Sequence, residues 1–154
     1  MTVAVALAML ESQGQWLLQL RDDIPGIVAP GCWGLFGGHL DPGESPEQAL
    51  RRELREEIDW EAGELSFWFS DSNPQRIAHF FRGPLTVPLQ QLHLLEGQDM
   101  TLASLETLGS GQVRSPRLGE LRPLAASLQC AIERLLSSEA ARRQAMAGGP
   151  DSQG

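Results

Sequence analysis

Residues 43–60, GESPEQALRRELREEIDW, constrain the fold more than any other stretch, because they set a helix start, a buried stripe and an unusual row of charges together. Ser45 as N-cap, Pro46 at the first helical position and Gln48 at the third make a capping box with an N-terminal proline. The spacing predicts a helix running to about Ile58. At roughly 100° per residue, Leu50, Leu54 and Ile58 form the stripe that should pack on a sheet. Glu53 and Glu57 flank that stripe, Glu56 lies beside Glu53, and Arg51, Arg52 and Arg55 project from the opposite side. Glu47 with Arg51 and Arg52 with Glu56 are well-oriented i, i+4 pairs. Glu53 and Glu57 have no such partner, since four residues away lie only Ala49, one another and Glu61. Like charges at that spacing repel by about 0.2–0.5 kcal/mol a pair. Either the row belongs to a solvated helix laced with ion pairs, or partly buried carboxylates take up protons or a cation. Hard divalent cations such as Mg²⁺ or Mn²⁺ take oxygen ligands and bind through a few carboxylates plus phosphate oxygens.

The flanking sequence predicts a mixed sheet. Residues 2–10 alternate Val3, Val5, Leu7 and Met9 with Ala4, Ala6 and Ala8, so both faces are apolar, as in a strand covered on both sides. A turn at ESQGQ and a second strand at WLLQLR make a hairpin. DDIPGIVAPGCWG is a loop, LFGGHL a short strand and DPGES a tight turn. Two further strands are expected at LSFWFS and RIAHFFRG and another around LQQLHLL, with a final helix after Pro123 carrying Leu124, Leu128, Ala131, Ile132 and Leu135 at core spacing. This order predicts an α/β fold, a mixed sheet packed between helices, in one domain over residues 1–139. Residues 140–154 are expected to be a disordered tail.

A net charge of −8 argues against a nucleic-acid polymer or an anionic membrane as a partner reached by bulk attraction. A polyanionic ligand would need something cationic between it and the protein. Cys32 and Cys130 make no disulfide framework, and TVAVALAML is too short to span a bilayer and lacks a basic leader, so the expected location is cytoplasmic. Oligomeric state is left open, a homodimer being the commonest arrangement for oligomeric chains.

Gly38, Glu44, Arg52-Glu53-Leu54 and Glu56-Glu57 together resemble the signature of the Nudix hydrolases, G-x5-E-x7-R-E-U-x-E-E-x-G-U with U aliphatic. Six fixed residues coincide by chance on the order of once in ten million placements at ordinary residue usage. LLQLRDD and PGCWGLFGGHLDPGE upstream, and LLEGQDMTLASLETL downstream, are similar to the family's neighbouring segments. Asp59 and Trp60 stand where the family has Gly and an aliphatic residue. Asp is one of the few residues besides Gly that visits the left-handed region, so the helix end should change slightly while the carboxylates before it stay in place.

The resemblance implies a Nudix-type α/β/α sandwich and metal-dependent hydrolysis of a nucleoside diphosphate linked to another moiety: a nucleotide sugar, ADP-ribose or a nucleoside triphosphate. The alternative is a Nudix-fold module that binds a nucleotide without cleaving it. By the same resemblance Glu53, Glu56 and Glu57 are ligands for Mg²⁺ or Mn²⁺, with Glu53 also a candidate base and the Gly38 carbonyl oxygen a further ligand. Arg52 either orients a carboxylate of the signature or pairs at the surface with Glu56, and Glu44 either joins the metal network or braces the loop. Glu96 is either an additional catalytic carboxylate or an ordinary loop residue. Arg21, Trp33 and Phe36 are candidates for substrate contacts, the aromatics competing with plain core roles.

Overall fold

The computed structural model describes residues 2–147. Its strands are β1 Val3–Ser12, β2 Gln15–Leu20, β3 Trp33–Gly34, β4 Phe36–His39, β5 Ser66–Ser72, β6 Arg76–Pro84, β7 Asp99–Ser104, β8 Gln112–Arg114 and β9 Leu121–Pro123. The helices are α1 Pro46–Ile58, α2 Leu105–Gly109 and α3 Ala126–Ala147. Seven strands form one mixed sheet in which β1 runs parallel to β6 and antiparallel to β4 and β2, while β8 and β9 make a separate hairpin.

The alternation in β1 sets the layers. Val5, Leu7 and Met9 point into a core shared with Leu18, Leu20, Trp33 and the α3 residues Leu128, Ala131, Ile132 and Leu135. Ala6, Ala8 and Leu10 point the other way, against Leu50, Leu54 and Ile58 of α1. Small residues on that face let α1 lie close to the sheet, so the row of carboxylates along the helix ends up beside the strands. This is the α/β/α sandwich that the sequence predicts.

Pairing of β1 with β2 covers only Glu11↔Trp16 and Ser12↔Gln15. Beyond that, β4 takes the free edge of β1 from Val5↔His39 to Ala8↔Phe36. β2 instead pairs along its whole length with β7 and at its end with β3. The sheet therefore opens between β1 and β2, and the glycine-rich β4 lies at the opening.

Three expectations need correction. The segment LQQLHLL forms a 3-10 turn at Leu89–Gln91 and no strand, because Pro88 starts the turn and the apolar residues do not alternate. β7 and the β8–β9 hairpin were not anticipated. α3 continues to Ala147, into the stretch expected to be disordered; Glu139, Ala140, Ala141, Arg142 and Arg143 are strong helix formers that need no buried face, and Glu139 pairs with Arg142 at 3.7 Å. The rest of that expected tail, residues 148–154, lies outside the described residues. Among the described residues no helix is long and apolar enough to cross a membrane.

Candidate functional site

Helix α1 begins as its sequence requires. The Ser45 hydroxyl oxygen accepts from the Gln48 N–H, and the Gln48 side chain accepts from the Ser45 N–H. It ends at Asp59 in the left-handed region, φ 52° and ψ 48°, so Asp adopts the conformation that the signature's glycine would supply. The Asp59 N–H closes on the Arg55 carbonyl at 3.1 Å, the Asp59 carboxylate meets His93 Nδ1 at 3.2 Å, and Trp60 is buried beside the helix.

Glu57 is only 3% exposed. Its Oε1 accepts from the Gly37 N–H at 2.8 Å, and its Oε2 faces Gln19 Nε2 at 3.5 Å. Burial, then the side-chain hydrogen bond with Glu96, then the charges of Glu96 and Glu53, push its carboxyl up to about 10, against the lowering effect of the Gly37 N–H. Glu53 is raised as well, chiefly by burial, with Arg52 pulling it back. Glu57, raised so far, keeps a proton at neutral pH unless a cation replaces it.

Arg52 does not project away from this row. Its guanidinium forms a two-pronged pair with Glu44, Nε to Oε2 at 2.8 Å and Nη2 to Oε1 at 2.9 Å. Its Nη1 reaches Glu53 at 3.1 Å and Glu56 at 3.2 Å, and Nη2 also donates to the His39 carbonyl at 2.9 Å. Spacing of four residues does not reveal the pair with Glu53, because Arg52 turns back across that adjacent residue. Arg52 thus contacts Glu44 and Glu53 of the signature as well as its i+4 neighbour Glu56. Glu44 is held down to about 2 by that guanidinium and by the Asp41 N–H, which donates to it at 2.7 Å, so it braces the turn before the helix. Glu53 and Glu56 turn to Arg52, and among the described residues no three His, Cys, Asp or Glu side chains are grouped so as to hold a metal ion.

The glycines of β4 set the other wall. A Cβ on Gly37 would fall 2.0 Å from the Ala6 carbonyl oxygen, and one on Gly38 would fall 2.7 Å from the Glu53 carboxyl carbon. Gly37 lets β4 lie against the backbone of β1, and Gly38 lets β4 approach the Glu53 side chain of α1. A cleft of about 580 Å³ opens here, with Glu53, Glu57 and Glu96 along one side. Arg21 and Arg76 line it too, as do aliphatic residues including Val5, Leu7 and Leu35. Arg21 is fixed by its Nε donating to the Val28 carbonyl at 2.6 Å.

Trp33 and Phe36, expected as candidate substrate contacts, are core residues, 0% and 1% exposed. The Trp33 indole donates to the Val113 carbonyl at 2.8 Å, and Phe36 packs in the α1-side core. Trp33, expected in the loop, lies in β3, while Phe36 lies in the expected short strand, β4. The residue that the sequence reading missed is Gln19, whose signal was a polar side chain in the otherwise apolar run WLLQL.

A family model of the NUDIX domain matches residues 1–114. Over 54 residues the chain is 43% identical to the nucleoside triphosphatase NudI of Escherichia coli O1:K1, a match spanning 35% of this chain and 38% of that relative's length. The solution structure of the E. coli ORF135 protein superposes with a TM-score of 0.64 at 29% identity, covering 92% of this chain and 93% of that one. The NUDIX domain of Shewanella oneidensis NrtR, complexed with ADP ribose, gives a TM-score of 0.66 at 19% identity over 90% and 88% of the two chains, a likeness of fold. With the NUDIX domain model matching residues 1–114 of its 154, this chain belongs to the Nudix family.

Proposed function

We propose that this chain hydrolyses the diphosphate linkage of a nucleoside diphosphate derivative or nucleoside triphosphate, using Mg²⁺ or Mn²⁺ held by Glu53, Glu56, Glu57 and the Gly38 carbonyl oxygen. The observation that carries this reading is Glu57, a carboxylate 3% exposed and pushed up to about 10, on the wall of a large cleft with Glu53 and Glu96 beside it. The donors are hard oxygens, which suit these ions. The missing Cβ of Gly38 leaves space against the Glu53 carboxylate, as a ligand site there needs. A cation would compete with Arg52 for Glu53 and Glu56, leaving Arg52 bound to Glu44 as the brace of the helix start.

Such an ion draws charge from phosphoryl oxygens and lowers the pKa of bound water. It also lets a protein of charge −8 accept a polyanion. The protein's own part is positioning. Arg21, anchored through Nε, has its remaining guanidinium N–H groups for a phosphate. To Glu96, or to Glu53 once released from Arg52, we assign the role of taking the proton of the attacking water. The aliphatic lining suits a nucleoside held without aromatic stacking.

The NudI relative, named a nucleoside triphosphatase, and the ADP-ribose complex of the structural neighbour support the substrate classes named. Two free, half-buried thiols at Cys32 and Cys130 fit the cytoplasm, where we place the chain as part of this proposal. Incubation with nucleotide sugars, ADP-ribose and nucleoside triphosphates, with Mg²⁺ or Mn²⁺, should release a mononucleotide from at least one class, and EDTA should abolish release. Tight nucleotide binding by calorimetry without product after long incubation would replace hydrolysis with the binding-module alternative.

A further inference from the structure

We infer that Gln19 is a positioning residue for this site, holding the Glu57 carboxylate and the segment that carries Glu96 at a fixed separation by donating to both. The catalytic consequence rests on the function proposed above; the geometry does not. Gln19 lies in β2 and is 3% exposed. Its neighbours Leu18 and Leu20 enter the α3-side core, so Gln19 points toward α1.

The amide nitrogen has two hydrogens and two acceptors, the Glu96 carbonyl at 3.1 Å and Glu57 Oε2 at 3.5 Å. The reverse orientation would set the amide oxygen against a carbonyl and a carboxylate, so the hydrogen-bond network selects this one. The segment it holds is fastened on both sides. The His93 and Leu95 N–H groups donate to the Ile58 and Glu57 carbonyls at 3.2 and 2.8 Å, and so satisfy the open end of α1. The Gln98 N–H donates to the Leu20 carbonyl at 2.8 Å, and its side-chain amide to the Arg21 carbonyl at 2.9 Å. A Cβ on Gly97 would lie 2.8 Å from the Leu20 carbonyl oxygen and 3.0 Å from Gln19 Cγ, so the backbone is pressed against this side chain.

A neutral donor has a use here that Arg or Lys would not. A full positive charge beside Glu57 would neutralise it and exclude a cation, much as Arg52 now occupies Glu53 and Glu56. An amide offsets part of the cost of burying the carboxylate and leaves its charge available.

Gln19→Met keeps the length and removes both donors. In metal-free protein we expect amide hydrogen exchange at Leu95 and Gln98 to quicken by about tenfold, the loss of roughly one hydrogen bond, while α1 and β1 stay protected. Unchanged exchange there overturns the inference. In the presence of metal, Mn²⁺ affinity by calorimetry and kcat should each fall by about tenfold with KM nearly unchanged. Gln19→Met combined with Glu96→Gln should cost little more in kcat than the worse single change, and additive losses would also overturn the inference. If the wild type neither binds Mn²⁺ nor turns over substrate, the proposed function fails, and the exchange measurement alone decides the role of Gln19.

Discussion

Replacing Glu57 by Gln should make the metal-free protein more stable, and increasingly so as pH rises. In the folded chain this carboxyl is pushed up to about 10 from an ordinary 4.5, chiefly by burial and by Glu96. In the unfolded chain it ionises near its ordinary value. Between those two values the folded state holds the extra proton, so raising the pH favours unfolding by up to about 1.4 kcal/mol per pH unit. Integrated from the ordinary value to neutrality, the cost to the wild type is roughly 3 kcal/mol. The group is almost fully buried, so solvent screening removes little of it. Gln has no such proton to hold. Its oxygen still accepts from the Gly37 N–H, and its amide donates toward Glu96 as the protonated carboxyl does. Urea unfolding of both proteins in EDTA, from about pH 5 to pH 8, isolates the effect, because every other titrating group is common to the two. The gap should be small at the acid end and widen by about 1 kcal/mol per pH unit. A gap that stays constant with pH, or a Glu57→Gln variant that is the less stable throughout, would refute the assignment of Glu57 as a buried, proton-holding carboxyl. Adding Mn²⁺ should reverse the order, since occupied binding stabilises by mass action only the protein that binds.

The two glycines of β4 should separate fold from function. Gly37→Ala meets the Ala6 backbone and should prevent folding, whereas Gly38→Ala meets only the movable end of Glu53, so its circular dichroism should stay native while Mn²⁺ affinity and turnover fall by about tenfold or more. Asp59→Gly should raise stability by a few tenths to about 1 kcal/mol in chemical denaturation, since glycine bears the left-handed conformation without strain. Mn²⁺ binding should strengthen as pH rises from 6 to 8 and release protons, read as a dependence of the calorimetric enthalpy on buffer ionisation, because Glu57 must ionise to bind.

What could be read in the sequence was local. The capping box at Ser45 and Gln48, the stripe of Leu50, Leu54 and Ile58, and the alternation in β1 each state their structure within a dozen residues, and each formed as expected. Strand β7 was hidden because its burial is set from elsewhere. Asp99, at its start, is buried yet satisfied by the Ser115 hydroxyl at 2.6 Å, the Met100 N–H at 2.8 Å and the Arg117 N–H at 3.1 Å. A buried aspartate reads as a loop residue until its partners are known. Trp33 was misread for the opposite reason: glycines flank it, but the Val113 carbonyl that takes its indole proton comes from β8. The site divides the same way. Glu53, Glu56 and Glu57 sit on one helix and could be seen together, and Glu96 was reached through the family resemblance, whereas Gln19 arrives from a separate strand by folding.

The charge row on α1 can now be weighed by magnitude. Repulsion between carboxylates at i, i+4 spacing is worth only about 0.2–0.5 kcal/mol a pair, and Arg52 offsets some of it by reaching Glu53 and Glu56. The larger cost is the burial of Glu57 at a position where no arginine follows, roughly 3 kcal/mol at neutrality on the pH reasoning above. An aliphatic residue at that position would remove the cost and suit the sheet-facing stripe equally well. The small alanines of β1 let the helix lie close enough to bury the group in the first place, and the bare backbone of Gly37 lets β4 lie against Ala6. Stability alone gives no reason for strand and helix to converge on an ionisable side chain. The proposed cation, binding there and displacing the proton, would supply one, and the difference between metal-free and metal-bound stability, rather than either one, is the quantity that tests it.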